Sequence, residues 1–135
     1  MSDAFLTEPH ERLAERVRAF GDKTLRPRAQ NESDPSGETR TLVGLLAGAG
    51  LLASAVPAPH GSMDLRSLVV VREGLAYFSG LADSAFAMQG LGSFPVVRAG
   101  SEVQKGRWLP AIVSGEMLAA FAVTEPEAGS DMASV

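Results

Sequence analysis

Two hydroxyls and three carboxylates crowd into the segment Thr124-Glu-Pro-Glu-Ala-Gly-Ser-Asp131, directly behind the apolar run Met117 to Val123. An apolar run that gives way to hydroxyl, acid, proline and glycine reads as a strand feeding a tight turn. Pro126 presets one backbone angle for such a turn, and Gly129 suits unusual angles or the close approach of a partner. Asp131 can brace the turn by bonding a backbone N–H further along. A turn of this kind offers N–H groups and the hydroxyls of Thr124 and Ser130 to a planar or anionic partner. Glu125 and Asp131 read as structural rather than reactive.

Other side chains with chemical potential are more scattered. His10 falls in a first helical turn and His60 in a proline-rich loop, far apart and without metal partners at usable spacing, so both are expected to be solvent-exposed. With no cysteine, disulfides and thiolate metal sites are excluded, and a reducing, cytoplasmic setting fits. Ser130 and Asp131 have no nearby histidine and do not form a hydrolase triad. Gly44-x-x-x-Gly48 follows no strand and lacks a third glycine; it suits close helix packing better than dinucleotide binding. Glu73 beside Arg72 suggests a surface or interhelical ion pair. A net charge of −4 argues against nucleic acid, which needs a cationic face. The most apolar window, Thr41 to Val56, is interrupted by Gly44, Gly48 and Gly50 and is too short to span a bilayer.

The segment around Thr124 closely resembles the flavin-contacting signature of the acyl-CoA dehydrogenases. Ala122, Val123, Thr124, Glu125, Ala128, Gly129, Ser130 and Asp131 fill that pattern without a gap, and Ser134 also fits. Gly100-Ser-Glu-Val-Gln-Lys105, Trp108-Leu-Pro110 and Ser114-Gly-Glu116 match the block that precedes it. The resemblance implies FAD as cofactor and an acyl-CoA thioester as substrate, desaturated between Cα and Cβ. It implies that Phe121, Ala122, Val123 and Thr124 meet the flavin edge and that Ser130 meets flavin or acyl-CoA. Met88 and Leu91, with Gln89 and Gly92 nearby, fall where the family lines its acyl-chain cavity. Trp108 is expected to pack beneath the flavin-side strand. An electron-transfer flavoprotein as acceptor and a homo-oligomer follow from the same likeness. The family's catalytic base lies in a C-terminal domain beyond residue 135, so no catalytic residue is assigned here. On that basis these residues form the family's first third, expected to be inactive alone and to hold FAD weakly or not at all. Two departures, Pro59-His-Gly-Ser-Met-Asp64 and Arg72-Glu-Gly-Leu-Ala76, bear on substrate subclass. A non-catalytic helical module or split subunit completing a partner flavoprotein is the competing reading.

The elements that must position this turn are helical. Thr7 caps a first helix carrying Leu13, Val17 and Phe20 and bounded by Pro27. After a polar loop, Asn31 to Gly37, a second helix turns Leu42, Leu45, Leu46 and Ala49 inward and stops at Gly48 or Gly50. Val56-Pro-Ala-Pro-His-Gly61 makes a crossing that cannot be helix interior. A third helix starts near Ser62 or Asp64 with Leu68, Arg72, Leu75 and Ala76 in register. A fourth starts near Asp83, is apolar on nearly every side, and breaks at Gly92 and Pro95. Ser101 and Gln104 form a capping box for a further helix with Val103, Leu109, Ile112 and Val113, ended by Gly115. The expected fold is all-α: a bundle of five or six helices over residues 1–115, then the first strand of a β domain over 116–135.

Overall fold

The computed structural model describes residues 5–28, 34–57, 63–131 and 133. It is an all-α bundle. Helix α1 spans Glu8–Phe20 and runs on through a π-helical turn, Gly21–Leu25; α2 spans Pro35–Gly48, α3 Leu65–Phe78, α4 Gly80–Ala99 and α5 Glu102–Val113. A short 3-10 turn, Leu52–Ser54, follows α2. Helix α4 packs against α2, α3 and α5, while α3 also packs on α1. Its all-round apolar surface therefore serves a central position, with Phe86 at its middle 0% exposed. Val17, Leu46, Leu52, Val71, Leu75 and Leu109 close around the same core.

The helix ends follow local chemistry. Ser101 accepts the Gln104 N–H, and the Gln104 side chain accepts the Ser101 N–H at 2.8 Å, completing the expected capping box. Asp34 accepts the Gly37 N–H at 2.9 Å, so α2 begins inside what reads as loop. At its other end Gly50 has φ +69°, with Gly50 N donating to Ala47 O and Leu51 N to Leu46 O. That is a Schellman stop, and a β-carbon at Gly50 would resist it. Asp64 caps α3; Ser62, His60 and the rest of the crossing at 58–62 lie outside the described residues.

Several sequence expectations change. Helix α4 starts three residues before Asp83, because the Ser79 hydroxyl accepts the Ala82 N–H. It also continues through Gly92 and Pro95 without a break. Pro95 has no N–H to donate to the Leu91 carbonyl, but both residues lie on the exposed face, where water can satisfy that group. Val103 is 80% exposed; six positions from Leu109 put it about 120° off the buried face. Gly44 and Gly48 face open space, so no helix uses them for close packing.

His10 changes too. It is 4% exposed rather than solvated. Its Nδ1 accepts the Thr7 N–H at 3.1 Å and lies 2.8 Å from the Thr7 hydroxyl, while Nε2 lies 2.6 Å from Asp64 Oδ2. The ring thus closes the start of α1 onto the start of α3. With Nδ1 committed to a backbone N–H, the trio is a cap, not a nucleophile with its base. The His10 hydrogen bond, then the Ser67 hydroxyl, hold the Asp64 carboxyl well below the ordinary carboxylate range. A depressed carboxyl stabilises the fold above its unfolded-state pKa and ceases to do so as pH falls through the folded value. The stability gap between the native protein and Asp64→Asn should therefore be widest at neutral pH. It should close as pH drops below about 4. Urea midpoints across that range measure it; a gap independent of pH would contradict the assignment.

The interhelical ion pair also forms, though with a different acid. Arg72 donates Nε and Nη2 to the two Asp83 carboxylate oxygens at 2.8 and 2.7 Å, joining α3 to α4, while Glu73 lies exposed. Among the described residues no helix is long and apolar enough to cross a membrane.

Candidate functional site

Helix α4 carries the only fully buried glutamine of the described core, Gln89, at 1% exposure. Its Oε1 accepts the Ala119 N–H at 2.7 Å. Its Nε2 donates to Met117 O at 3.1 Å and Ile112 O at 3.3 Å. One amide therefore pins the chain as it leaves α5. One turn along, Gly92 lets that chain cross the helix in near contact. A β-carbon there would lie 2.6 Å from Ala120 N and 2.7 Å from Ala120 O. Residues 117–120 are thus held by a hydrogen-bonded clamp and a steric notch, both supplied by α4.

Beyond the notch the chain turns outward. Phe121, Ala122, Thr124 and Ser130 are exposed and Val123 is half-buried. Among the described residues, the backbone groups of Ala120 through Thr124 have no hydrogen-bond partner. The strand expected over Met117 to Val123 is consequently not a strand here, since a ladder needs a second strand and the described residues contain none. The tight turn does form: Glu125 N donates to Ala128 O at 2.8 Å and Ala128 N to Glu125 O at 3.3 Å, enclosing Pro126. Asp131 Oδ1 accepts the Ala133 N–H at 3.3 Å, the expected brace. Gly129 is different. It does not have positive φ, and an added β-carbon would meet only Thr124 Cγ2 at 4.0 Å. Nothing within the described chain demands glycine there, so any such demand comes from a partner. Ser134 lies outside the described residues.

The arrangement narrows what could bind. Glu125, Glu127 and Asp131 surround the turn with negative charge, which disfavours a phosphate and leaves a neutral, planar, donor- and acceptor-edged group as the better match. Unpaired backbone groups in a row, beside the Thr124 hydroxyl, suit the rim of a flavin's pyrimidine ring. The residues present therefore fit a flavin edge.

On the inner side of the same segment lies an open, mainly apolar cleft of about 170 Å³, lined among others by Val43, Ser84, Met88, Gln89, Leu118 and Ala119. Met88 thus stands at the cleft. Leu91 does not line it; it is 52% exposed on the outer part of α4. Trp108 is partly buried against the core. Among the described residues no cluster of three or more His, Asp or Glu could hold a metal ion. The sequence reading placed Gln89 near the acyl-chain cavity but missed its clamp on the chain at Ile112, Met117 and Ala119. Its signal was available: an uncharged polar side chain inside an otherwise apolar helix must find partners when buried.

Comparison with known proteins bears on most of the chain. The family described as acyl-CoA dehydrogenase, N-terminal domain, matches residues 7–116. The mitochondrial isovaleryl-CoA dehydrogenase of Bos taurus is 35% identical over 136 residues, covering 96% of this chain and 32% of its own length. A probable acyl-CoA dehydrogenase of Bacillus subtilis is 32% identical, with 93% and 22% covered. A 3-(aryl)acrylate reductase of Clostridium sporogenes is 30% identical, with 97% and 36% covered. The chain thus spans about a third or less of the length of these relatives. With the family's N-terminal domain matched over most of its residues, the chain belongs to the acyl-CoA dehydrogenase family.

Proposed function

We propose that this chain supplies the flavin-edge segment and one wall of the acyl cleft of an FAD-dependent acyl-CoA dehydrogenase. The observation that carries the reading is the row of unpaired backbone groups from Ala120 to Thr124, which follows directly in the chain on Leu118 and Ala119 of the cleft wall. When bound, FAD supplies the hydride acceptor for the acyl β-carbon. The backbone of Phe121, Ala122, Val123 and Thr124 meets the flavin edge, and the Thr124 hydroxyl adds a donor. Ser130 reaches flavin or thioester. Such donors help most when they are oriented before charge develops, and α4 anchors the chain from which they extend at Met117, Ala119 and Ala120. Met88 borders the acyl chain. No carboxylate of the described residues lines the cleft, so the α-proton is taken by a group from elsewhere in the protein. An electron-transfer flavoprotein as acceptor, a homo-oligomeric assembly and a cytoplasmic setting complete the proposal. Relatives named for isovaleryl-CoA and for very long chains each match 96% of this chain, so the acyl class of this protein is left open by the likeness.

The test uses the full-length protein. It should purify with flavin absorbance that bleaches when acyl-CoA is added. Each neutral hydrogen bond contributes about 0.5–1.5 kcal/mol net, so Thr124→Ala with Ser130→Ala should weaken FAD binding roughly thirtyfold. Fluorescence titration of the apo-protein with FAD measures it. An unchanged affinity would refute the edge assignment. A stable full-length protein without flavin, found in a hetero-complex, would instead support the helical-module reading.

A further inference from the structure

We propose that Gln89 is a positioning residue that couples the acyl cleft to the flavin-edge segment. The inference rests on the function proposed above and adds a residue and a route to it. Gln89 lines the cleft beside Met88 and at the same time holds the backbone at Met117 and Ala119. Leu118 and Ala119 line that cleft too. Phe121 follows two residues later, within about 7 Å of chain. A group entering the cleft therefore presses on the very residues whose placement sets the flavin edge, and one buried amide fixes their rest position. The amide is fully used: it accepts one N–H and donates to two carbonyls, and no buried side-chain nitrogen or oxygen among the described residues lacks a partner. Nothing softer intervenes, because the Gly92 notch brings the next backbone unit against α4. The cleft wall and the chain as far as Ala120 thus form one held piece, from which the flavin edge emerges.

Three variants of the full-length holoprotein test this. Gln89→Met keeps the volume and removes every bond. The Ala119 amide should then exchange about tenfold faster or more, the size expected for one lost hydrogen bond. Bound flavin should show a displaced visible band and a changed midpoint potential, and the bleaching expected when acyl-CoA is added to the native protein should be lost. Gln89→Glu retains the acceptor for Ala119 but lacks a donor until protonated. Its flavin spectrum should return toward native as pH falls, a profile that a merely structural residue would not give. Val103→Ala, at an exposed position of α5, should leave all of these unchanged. A native-like spectrum and potential in Gln89→Met overturn the proposal, as does Ala119 exchange at the native rate. Should Gln89→Met fail to fold, a Gln89→Glu protein with no pH-dependent recovery overturns it. Absence of flavin from the native full-length protein would sink the functional reading separately, leaving Ala119 exchange to decide the clamp.

Discussion

Phe86→Ala is expected to lower the unfolding free energy by about 3–5 kcal/mol, the usual cost of emptying a buried aromatic site. The ring is 0% exposed and sits where α4 meets its neighbours. Folded domains of this size are stable by about 5–15 kcal/mol in total, so the substitution removes a large share. Two other phenylalanines serve as controls. Phe94 and Phe121 are 46% and 45% exposed, and replacing either should change stability by less than about 1 kcal/mol. Guanidinium unfolding curves with a shared slope give the comparison directly. A Phe86→Ala midpoint within error of Phe94→Ala would show that α4 is not central.

Gly92→Ala should reverse the sign of a normally favourable change. Alanine in place of glycine within a helix ordinarily stabilises by about 1 kcal/mol. Gly106 in α5 meets that rule, because an added β-carbon there finds no atom within 4 Å. At Gly92 the same carbon would stand 2.6 Å from Ala120 N, 2.7 Å from Ala120 O and 2.9 Å from Ala119 C, all backbone atoms that no rotamer change can move. The crossing chain must lift, and the Ala119 hydrogen bond to Gln89 must lengthen or break. Gly106→Ala should raise the thermal midpoint. Gly92→Ala should cost about 1–3 kcal/mol, as overpacking does, and loosen residues 119–124. Thermal melts and amide exchange at Ala119 read both. If the two alanines stabilise alike, the notch has no steric meaning.

Much of the fold was legible because helix ends are local. The Ser101–Gln104 box, the Gly50 stop and the Thr7 start each depend on residues a few positions apart. The Glu125–Ala128 turn is local too, and Pro126 announced it. What the sequence hid depends on distant partners. His10 is buried because Asp64 lies beside it, 54 positions away. Helix α4 survives Pro95 because the bundle holds it and Leu91, whose carbonyl would take the missing N–H, lies on the exposed face. Val103 looked like core by type, yet its angular position decides exposure. The signature itself named the exposed residues of the site. It was silent on Gln89 and Gly92, whose importance comes from a chain that crosses α4 only in three dimensions. Met88 reached the cleft and Leu91 did not, a distinction of helical phase that apolar composition alone does not make.

Ser79 ends α3 and begins α4 unaided, with φ −158° and ψ 114°. Two backbone torsions are all that articulate these helices, and the Arg72–Asp83 fork straps them together close by. The pair therefore moves as one hairpin, with Gln89 on one arm and, on the other, Asp64 latching it to α1. Any opening that admits a ligand has to bend somewhere else.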